Sequence, residues 1–273
     1  SYYDYYQPEA YLPVTDTYIE KDASINDEID KLRLKTTSSL MARKDVIVVS
    51  SVSCIYGLGA PDEYIKGSVK ITIGEILNRR KILSKLVHIH YSRNDQVLER
   101  GNIRVLGAII EVFPAYEDHC IRIELFGTEV DKISRFDYLT GEVIEDLESY
   151  VIFPAKHFVA DKEKTLIVVD EIRDELSQRL DFLRSNNKLL EAQRLEQRTH
   201  FDIEMMIELG YCSGIENYSR FFAGRKEGEK PFTLIDFFPD NFLTILDESH
   251  VTLPQIRAMY NGDRARKISL VDH

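Results

Sequence analysis

The clearest helical pattern lies in the second half of the chain, where apolar residues recur every three or four positions. These residues are Leu166, Val169, Ile172, Leu176, Leu180 and Leu183. Such a stripe predicts an amphipathic helix with one buried face. Asn186 and Asn187 predict a turn after it. A second helical pattern follows, with apolar residues at Leu189, Leu195, Met205 and Met206. Gly210 is predicted to end this helix.

Four short apolar-rich runs, three of which alternate apolar and polar residues, precede these helices between about Gly67 and His157. They occupy residues 87–91, 103–105, 109–112 and 121–125. Glycines separate or follow them, at Gly101, Gly107, Gly127 and Gly141. The pattern predicts a small antiparallel, β-rich module.

Two apolar runs, 46–49 and 242–246, the second of which contains Thr244, predict buried strands on either side of this module. The predicted fold class is therefore α/β, with the β-rich module inserted into an α/β domain. Residues 1–22, rich in tyrosine and proline, predict an extended hairpin. Ser24 is predicted to cap the helix that follows, with Ile29 on its apolar face.

Candidate chemistry lies directly after the second apolar run, at Asp247-Glu248-Ser249-His250. At the C-terminal end of a parallel strand, such carboxylates hold Mg²⁺ and align the attacking water in nucleotide-hydrolysing motors. The alternative is an acidic segment that caps the next helix. The phosphate-binding loop G-x-x-x-x-G-K-[ST] does not occur in the sequence. We therefore expect part of an ATP-driven machine that lacks its nucleotide cradle.

Composition and net charge limit the classes of function that the chain can have. The chain of 273 residues is 44% hydrophobic and 30% charged, as in globular proteins. Its net charge of −11 argues against gripping nucleic acid by electrostatics alone, because phosphate neutralisation requires Lys and Arg. Three scattered cysteines and the lack of a signal peptide or membrane span fit a reducing cytoplasm. His88 and His90 would share a strand face, but without a third ligand nearby no metal is predicted.

Six stretches together resemble the UvrB family, which verifies damage in bacterial nucleotide excision repair. They are YYDYYQPEAY at 2–11, DTYIEKD at 16–22, SVSCIYGLG at 51–59, LEAQRLEQRT at 190–199, GIENYSR at 214–220 and MYNGDR at 259–264. The resemblance implies a superfamily 2 helicase-like (RecA-like) motor domain with an inserted β-rich UvrA-binding domain. It also implies an internal fragment of a longer protein, in keeping with a start that lacks methionine and an uncapped end.

The implied domain boundaries divide the chain into three parts. Residues 1–66 belong to the motor domain and include the hairpin, 67–157 form the UvrA-binding domain, and 158–273 return to the motor domain. The implied partners are UvrA, UvrC and damaged DNA.

In this family a β-hairpin slips between the DNA strands and probes for lesions with its tyrosines. Aromatic rings stack on any base and so test the duplex without reading its sequence. The matching residues are Tyr2, Tyr3, Tyr5, Tyr6, Tyr11 and Tyr18. The alternative for each tyrosine is that it packs on the body of the hairpin. Phosphate contacts are implied for Arg194, Arg198 and Arg220.

The resemblance also assigns roles at the acidic motif. Asp247 matches the carboxylate that holds Mg²⁺ through ATP, Glu248 the water-activating residue, and His250 a link between the nucleotide and DNA sides. ATP and Mg²⁺ are implied for the full-length protein. We expect neither to be bound to this fragment, and we expect no ATP hydrolysis by the fragment alone.

For UvrA, the resemblance points to Arg93, Arg100 and Arg104, whose guanidinium groups suit the carboxylates of a partner. The alternative is that they are ordinary solvated arginines. Leu106 and Ala108 depart from the arginine and aspartate usual in the family, so the interface is expected to be weaker or differently balanced.

Two further functions compete with a damage-verifying motor subunit. One is a non-catalytic adaptor that kept the UvrA-binding module and lost its motor, against which the retained Asp247-Glu248-Ser249-His250 argues. The other is a relative of the transcription-repair coupling factor, which would not explain the tyrosine-rich start.

Overall fold

The computed structural model describes residues 3–55, 57–158 and 162–272. The strands are β1 (Tyr3–Gln7), β2 (Ala10–Leu12), β3 (Thr17–Ile19), β4 (Asp22–Ile25), β5 (Val69–Thr72), β6 (Ser92–Arg93), β7 (Asn102–Leu106), β8 (Ile109–Val112), β9 (Cys120–Phe126), β10 (Glu129–Phe136), β11 (Val143–Leu147) and β12 (Ser149–Ile152). The α-helices are α1 (Asp27–Ala42), α2 (Pro61–Gly67), α3 (Arg79–His88), α4 (Lys162–Ser185), α5 (Leu189–Leu209), α6 (Ser219–Phe222) and α7 (Ser249–Asp272).

The N-terminal arm is an antiparallel hairpin, as the sequence predicts. β1 pairs with β4 at its base, and β2 pairs with β3 near its tip. Asp16 in the tip has a positive φ of 46°. Aspartate tolerates this conformation because its short side chain can hydrogen-bond locally.

The start of α1 differs from the prediction by two residues. Asn26 is the N-cap, and its side chain accepts a hydrogen bond of 3.0 Å from the backbone nitrogen of Ile29. Ser24, the predicted cap, instead pairs with Tyr5 in the ladder between β1 and β4. The β1–β4 ladder continues past Ser24 to the pair Tyr3–Ile25. The helix therefore begins after Asn26, the next residue with a capping side chain.

The central module is a six-stranded sheet in the order β11-β10-β9-β8-β7-β6, with β5 and β12 paired beside it. Alternation along β7, β8, β9 and β10 buries one apolar face, to which Ile103, Ile110, Ile123 and Ile133 contribute. A smaller cluster covers part of the opposite face, and its members are Leu98, Phe113, Cys120 and Phe136. Three of the four predicted strands of the module are confirmed.

The fourth predicted strand, at residues 87–91, is wrong. This segment is the end of α3 and the turn that follows, with His90 at a positive φ of 70°. Ile82 and Leu86, spaced for a helix, are buried against the sheet and decide the conformation of the segment. His88 and His90 consequently do not share a strand face.

The helical hairpin of α4 and α5 is confirmed. Five of the six stripe residues are buried, whereas Leu166 is 56% exposed. Asn187 makes the turn with a φ of 60°. α5 ends at Gly210, whose φ of 71° is the left-handed conformation of a helix C-cap.

The two predicted buried strands at 46–49 and 242–246 are wrong, since neither run forms a strand. Leu243 is 84% and Ile245 81% exposed. A strand needs a neighbour to satisfy its backbone groups, and an apolar run carries no information about which neighbour is at hand. Among the described strands, the only parallel pairing joins β6 and β7, so mixed α/β content is found without the predicted parallel sheet.

A separate core joins α1, α2 and the end of β12. Tyr64 is completely buried there, stacks on Phe153 and lies beside His157. Thr37 on α1 lies 3.2 Å from Nε2 of His157, measured from its hydroxyl oxygen. Burial lowers the pKa of His157 to about 3, with Arg33 adding to the effect. The imidazole is therefore neutral in the folded chain at physiological pH.

The three cysteines are free thiols. Cys120 and Cys212 are buried, and burial raises the pKa of each to about 12. Cys54 is only half-buried. None of the helices in the described part of the chain is long and apolar enough to cross a membrane.

Candidate functional site

The acidic motif lies at the beginning of α7 rather than at the end of a strand. Asp247 and Glu248 form a turn in which Oδ1 of Asp247 accepts a hydrogen bond of 3.0 Å from the nitrogen of Glu248. The hydroxyl of Thr252 donates to the carbonyl of Asp247 at 3.0 Å. Glu248 has a positive φ of 46° and its carboxylate lies 3.3 Å from Nδ1 of His250. The motif therefore precedes a helix, as in the capping alternative, although the carboxylate of Asp247 accepts from Glu248, which lies before the first residue of α7.

These residues do not by themselves fit a Mg²⁺–nucleotide site. Their side chains are exposed, and the described residues contain no group of three or more His, Cys, Asp or Glu side chains placed to hold a metal ion. One carboxylate oxygen of Asp247 is already occupied by the backbone of its own turn. Roles for Asp247, Glu248 and His250 in ATP chemistry stay a prediction.

The tyrosines of the arm are spread over three strands. Tyr3, Tyr5 and Tyr6 lie on β1, whereas Tyr11 on β2 faces Tyr18 on β3 directly across the ladder. The rings of Tyr3 and Tyr6 stack, with 4.7 Å between their centroids. Tyr2 lies outside the described residues. The strands therefore carry aromatic surface both at the base and near the tip of the arm, and Tyr5, Tyr6 and Tyr18 are exposed.

Near the tip, the tyrosine hydroxyls are held by carboxylates. The hydroxyl of Tyr11 donates to Asp16 at 2.6 Å, and that of Tyr18 donates to Glu9. Partial burial and the contact with Glu9 raise the pKa of the Tyr18 hydroxyl. These bonds fix the positions of the phenol oxygens but leave part of the Tyr18 ring exposed. The tip therefore presents aromatic surface next to the carboxylates of Glu9 and Asp16.

The arm is attached to the helical region by ion pairs. Lys21 pairs with Glu216, and Arg198 on α5 lies 3.5 Å from Glu20 and 3.2 Å from Asp202. On α6, Arg220 pairs with Glu175 of α4. Arg198 and Arg220, implied as phosphate contacts, are thus engaged by carboxylates in the free chain. Arg194 is exposed on α5, and its contact with phosphate stays a prediction.

The three arginines implied for partner binding lie on or next to the central sheet. Arg93 on β6 pairs with Asp95, with 2.6 Å between Nη2 and Oδ2. Arg104 lies on β7, the parallel neighbour of β6. Arg100 lies in the preceding loop, with its Nη1 4.0 Å from a carboxylate oxygen of Glu28 on α1. Arg93 and Arg104 therefore lie on adjacent strands, but Arg93 pairs with Ile103 and so shares a sheet face with that residue and not with Arg104. Arg100 lies nearest to α1.

Two residues beside Arg104 were not singled out from the sequence. Glu111 on β8 and Arg122 on β9 lie in register with Arg104, so the three side chains form one row across the sheet. Short apolar runs identify β8 and β9 as strands, but only the register shows that these charges meet. The two-residue loop Gly107-Ala108 is a signal for the pairing of β7 with β8, whereas the longer loop before β9 gives none for the pairing of β8 with β9.

Comparison with known proteins identifies the family of the chain. Residues 69–158, which include the six-stranded sheet, match the model of the UvrB interaction domain. Residues 163–224, which include α5 and all but the first residue of α4, match the model of the UvrB third helical domain. The chain therefore belongs to the UvrB family.

Its relatives include three proteins called UvrABC system protein B. Along its whole length the chain is 61% identical to those of Enterococcus faecalis and Geobacillus kaustophilus, and 60% identical to that of Bacillus caldotenax. It covers 41% of the first protein and 42% of each of the other two. The chain thus spans about two fifths of the length of these relatives.

Proposed function

We propose that the chain acts in nucleotide excision repair as the part of a UvrB-family protein that docks on UvrA and probes damaged DNA. The observation that carries the proposal is that one chain combines two surfaces. One is an arginine-bearing sheet within the region similar to the UvrB interaction domain, and the other is an arm with exposed tyrosines.

On the sheet, recognition of UvrA would rest on planar guanidinium groups. Arginine pairs with carboxylates through two parallel hydrogen bonds, which gives direction as well as charge. Arg93 and Arg104 lie on adjacent strands and remain partly exposed. An acidic surface on UvrA is the expected counterpart.

On the arm, recognition of DNA would rest on stacking. The net charge of −11 and the carboxylates of Glu9 and Asp16 disfavour phosphate contacts at the tip. A stacked base contributes about 1–3 kcal/mol whatever its identity, so tyrosines can test a duplex without reading it. UvrA would supply the initial grip on the duplex and load the arm onto it.

The remaining activities belong to the whole protein. We propose that a complete UvrB-family protein contains the superfamily 2 helicase-like motor, uses ATP and Mg²⁺ with Asp247, Glu248 and His250 contributing, and recruits UvrC. In that setting the region beginning at Asp247 would have to adopt a different arrangement from the exposed turn described above.

Calorimetric titration with the UvrB-binding domain of UvrA tests the docking surface. The double variant Arg100→Ala/Arg104→Ala is expected to bind at least tenfold more weakly than the unmodified chain. Arg173→Ala is the matched control, because Arg173 is an exposed arginine on α4 whose ion pair within the described part of the chain is a local one, with Asp170. Absence of binding by the folded, unmodified chain would contradict the proposal.

The arm is tested with a duplex that carries a bulky adduct, in the presence of UvrA. Tyr5→Ala/Tyr6→Ala is expected to weaken retention on the damaged duplex at least tenfold. Tyr138→Ala, which removes an exposed tyrosine from the central module, is the control. UvrA binding without any tyrosine-dependent retention would favour the adaptor alternative.

A further inference from the structure

A charged residue is buried on the second face of the central sheet. The side chain of Glu111 is only 2% exposed, although it lies on the face opposite the main apolar core. Its Oε2 accepts from Nε of Arg104 at 2.7 Å and lies 2.6 Å from Nη2 of the same residue. Its Oε1 accepts from Nε of Arg122 at 2.9 Å and lies 2.9 Å from Nη2. Both oxygens are thus engaged side-on by arginines of neighbouring strands.

The register of the sheet creates this arrangement. Arg104 pairs with Glu111 across β7 and β8, and Glu111 pairs with Arg122 across β8 and β9. The guanidinium carbon of Arg122 also lies 4.3 Å from the ring centroid of Phe136. Each guanidinium group uses its Nε–Nη2 edge for Glu111, and Nη1 takes no part in these bonds. The side chains of Arg104 and Arg122 remain 26% and 24% exposed.

The electrostatics explain why one carboxylate is placed between two cations. Two guanidinium groups in one row repel each other and, without a fixed partner, each samples many rotamers. A buried carboxylate that accepts from both offsets the repulsion and fixes both planes. The row retains a net charge of +1. Removing the carboxylate would leave two partly buried cations without compensation.

We propose that Glu111 is a positioning residue that holds Arg104 and Arg122 as one rigid pair, whose outer edges receive carboxylates of the partner. The inference rests on the proposed docking on UvrA and specifies its geometry. Pre-ordered side chains lose less entropy on binding, so the pair would bind more tightly than two independent arginines.

The test uses Glu111→Gln, which keeps the volume of the side chain but cannot accept from both arginines with a charged group. Glu145→Gln is the matched control, because Glu145 pairs with Arg135 elsewhere on the same sheet. Calorimetry with the UvrB-binding domain of UvrA is expected to show at least tenfold weaker binding for Glu111→Gln and less than a twofold change for Glu145→Gln. In ¹⁵N–¹H correlation NMR spectra, the Nε–H signals of Arg104 and Arg122 are expected to be protected from exchange with water in the unmodified chain and in Glu145→Gln. This protection is expected to be lost in Glu111→Gln.

A second variant decides the question if Glu111→Gln does not fold. Arg104→Lys keeps the charge and the bond between Glu111 and Arg122, but removes the planar fork, and it is expected to weaken binding at least fivefold. Unchanged affinity in folded Glu111→Gln, or in Arg104→Lys, would overturn the positioning role while leaving the UvrA proposal in place. Failure of the unmodified, folded chain to bind would instead overturn the UvrA proposal and the partner named here.

Discussion

Lys31 on α1 and Asp118 in the loop before β9 form an ion pair, with 2.9 Å between Nζ and Oδ1. Lys31 also lies 2.6 Å from Glu28, and its side chain is only 11% exposed. The same helix touches the arm through its cap, because Nδ2 of Asn26 donates to Asp4 at 2.9 Å. α1 is thus in direct polar contact with both the central module and the tyrosine-bearing arm.

Replacing Asp118 by asparagine is expected to lower the free energy of unfolding by about 0.5–1 kcal/mol at pH 7, since the carboxylate is largely exposed and the pair is screened by water. The hydrogen bond from Lys31 lowers the pKa of Asp118 in the folded chain. The carboxylate therefore stabilises the fold above the unfolded pKa of about 3.9, and this contribution is lost as the pH falls through the lower folded value. Urea unfolding at pH 7 and pH 3 measures the difference, with Asp131→Asn on β10 as the control. A difference that persists unchanged at pH 3 would contradict the ion pair.

Gly59→Ala is expected to destabilise the chain strongly. A Cβ atom at this position would lie 2.0 Å from the carbonyl oxygen of His157, so the backbone itself would have to move. The expected loss is about 3 kcal/mol, at the upper end of the overpacking range. Gly57→Ala is the matched control, because its Cβ would meet Pro231 at an ordinary 3.5 Å. Thermal unfolding of the two variants checks the contrast, and equal melting temperatures would refute it.

His90 and His157 are expected to stay neutral far below the usual range. Burial lowers the pKa of His90 to about 4, with Lys156 adding to the effect, and that of His157 to about 3. Because the unfolded chain titrates near about 6.5, it binds more protons between these values, so both residues reduce stability as the pH falls from about 6.5 towards 4. In proton NMR spectra, the chemical shifts of the imidazole C–H protons of both rings are expected to stay constant from about pH 8 to 5.5. A midpoint near the unfolded value for either ring would show that it is not buried.

Two glycines in helical contexts are expected to respond in opposite directions. Gly210 caps α5 at a φ of 71°, so Gly210→Ala should lose about 1 kcal/mol of stability. Gly262 lies inside α7 with open space around its missing Cβ, so Gly262→Ala should favour that helix by about 0.5–1 kcal/mol. Circular dichroism during chemical unfolding measures both changes. A loss of helix in Gly262→Ala would contradict the helical assignment of that segment.

Local patterns predict those parts of the fold that depend on local information. The stripe through Ile172 and Leu176 identifies α4, and alternation around Ile103 and Ile123 identifies two strands of the sheet. Leu166 is exposed at the beginning of α4, where the stripe runs past the packed region. The same reasoning failed at 242–246, because whether an apolar run becomes a strand depends on a neighbour that no local pattern identifies.

The two candidate surfaces also differ in how far local sequence patterns predict them. The positions of Tyr5, Tyr11 and Tyr18 on an antiparallel arm follow from composition and turn residues. The meeting of Arg104, Glu111 and Arg122 follows from strand register, which becomes apparent only when the strands are paired.

The unequal burial of the three thiols gives the chain a built-in attachment point for spectroscopic probes. Thiolates are the species that react with maleimides, and the high pKa and burial of Cys120 and Cys212 keep both as unreactive thiols at neutral pH. Cys54 is the one that reagents reach first. A fluorophore introduced under mild conditions will therefore label a single position a few residues before Gly59, and no cysteine has to be substituted.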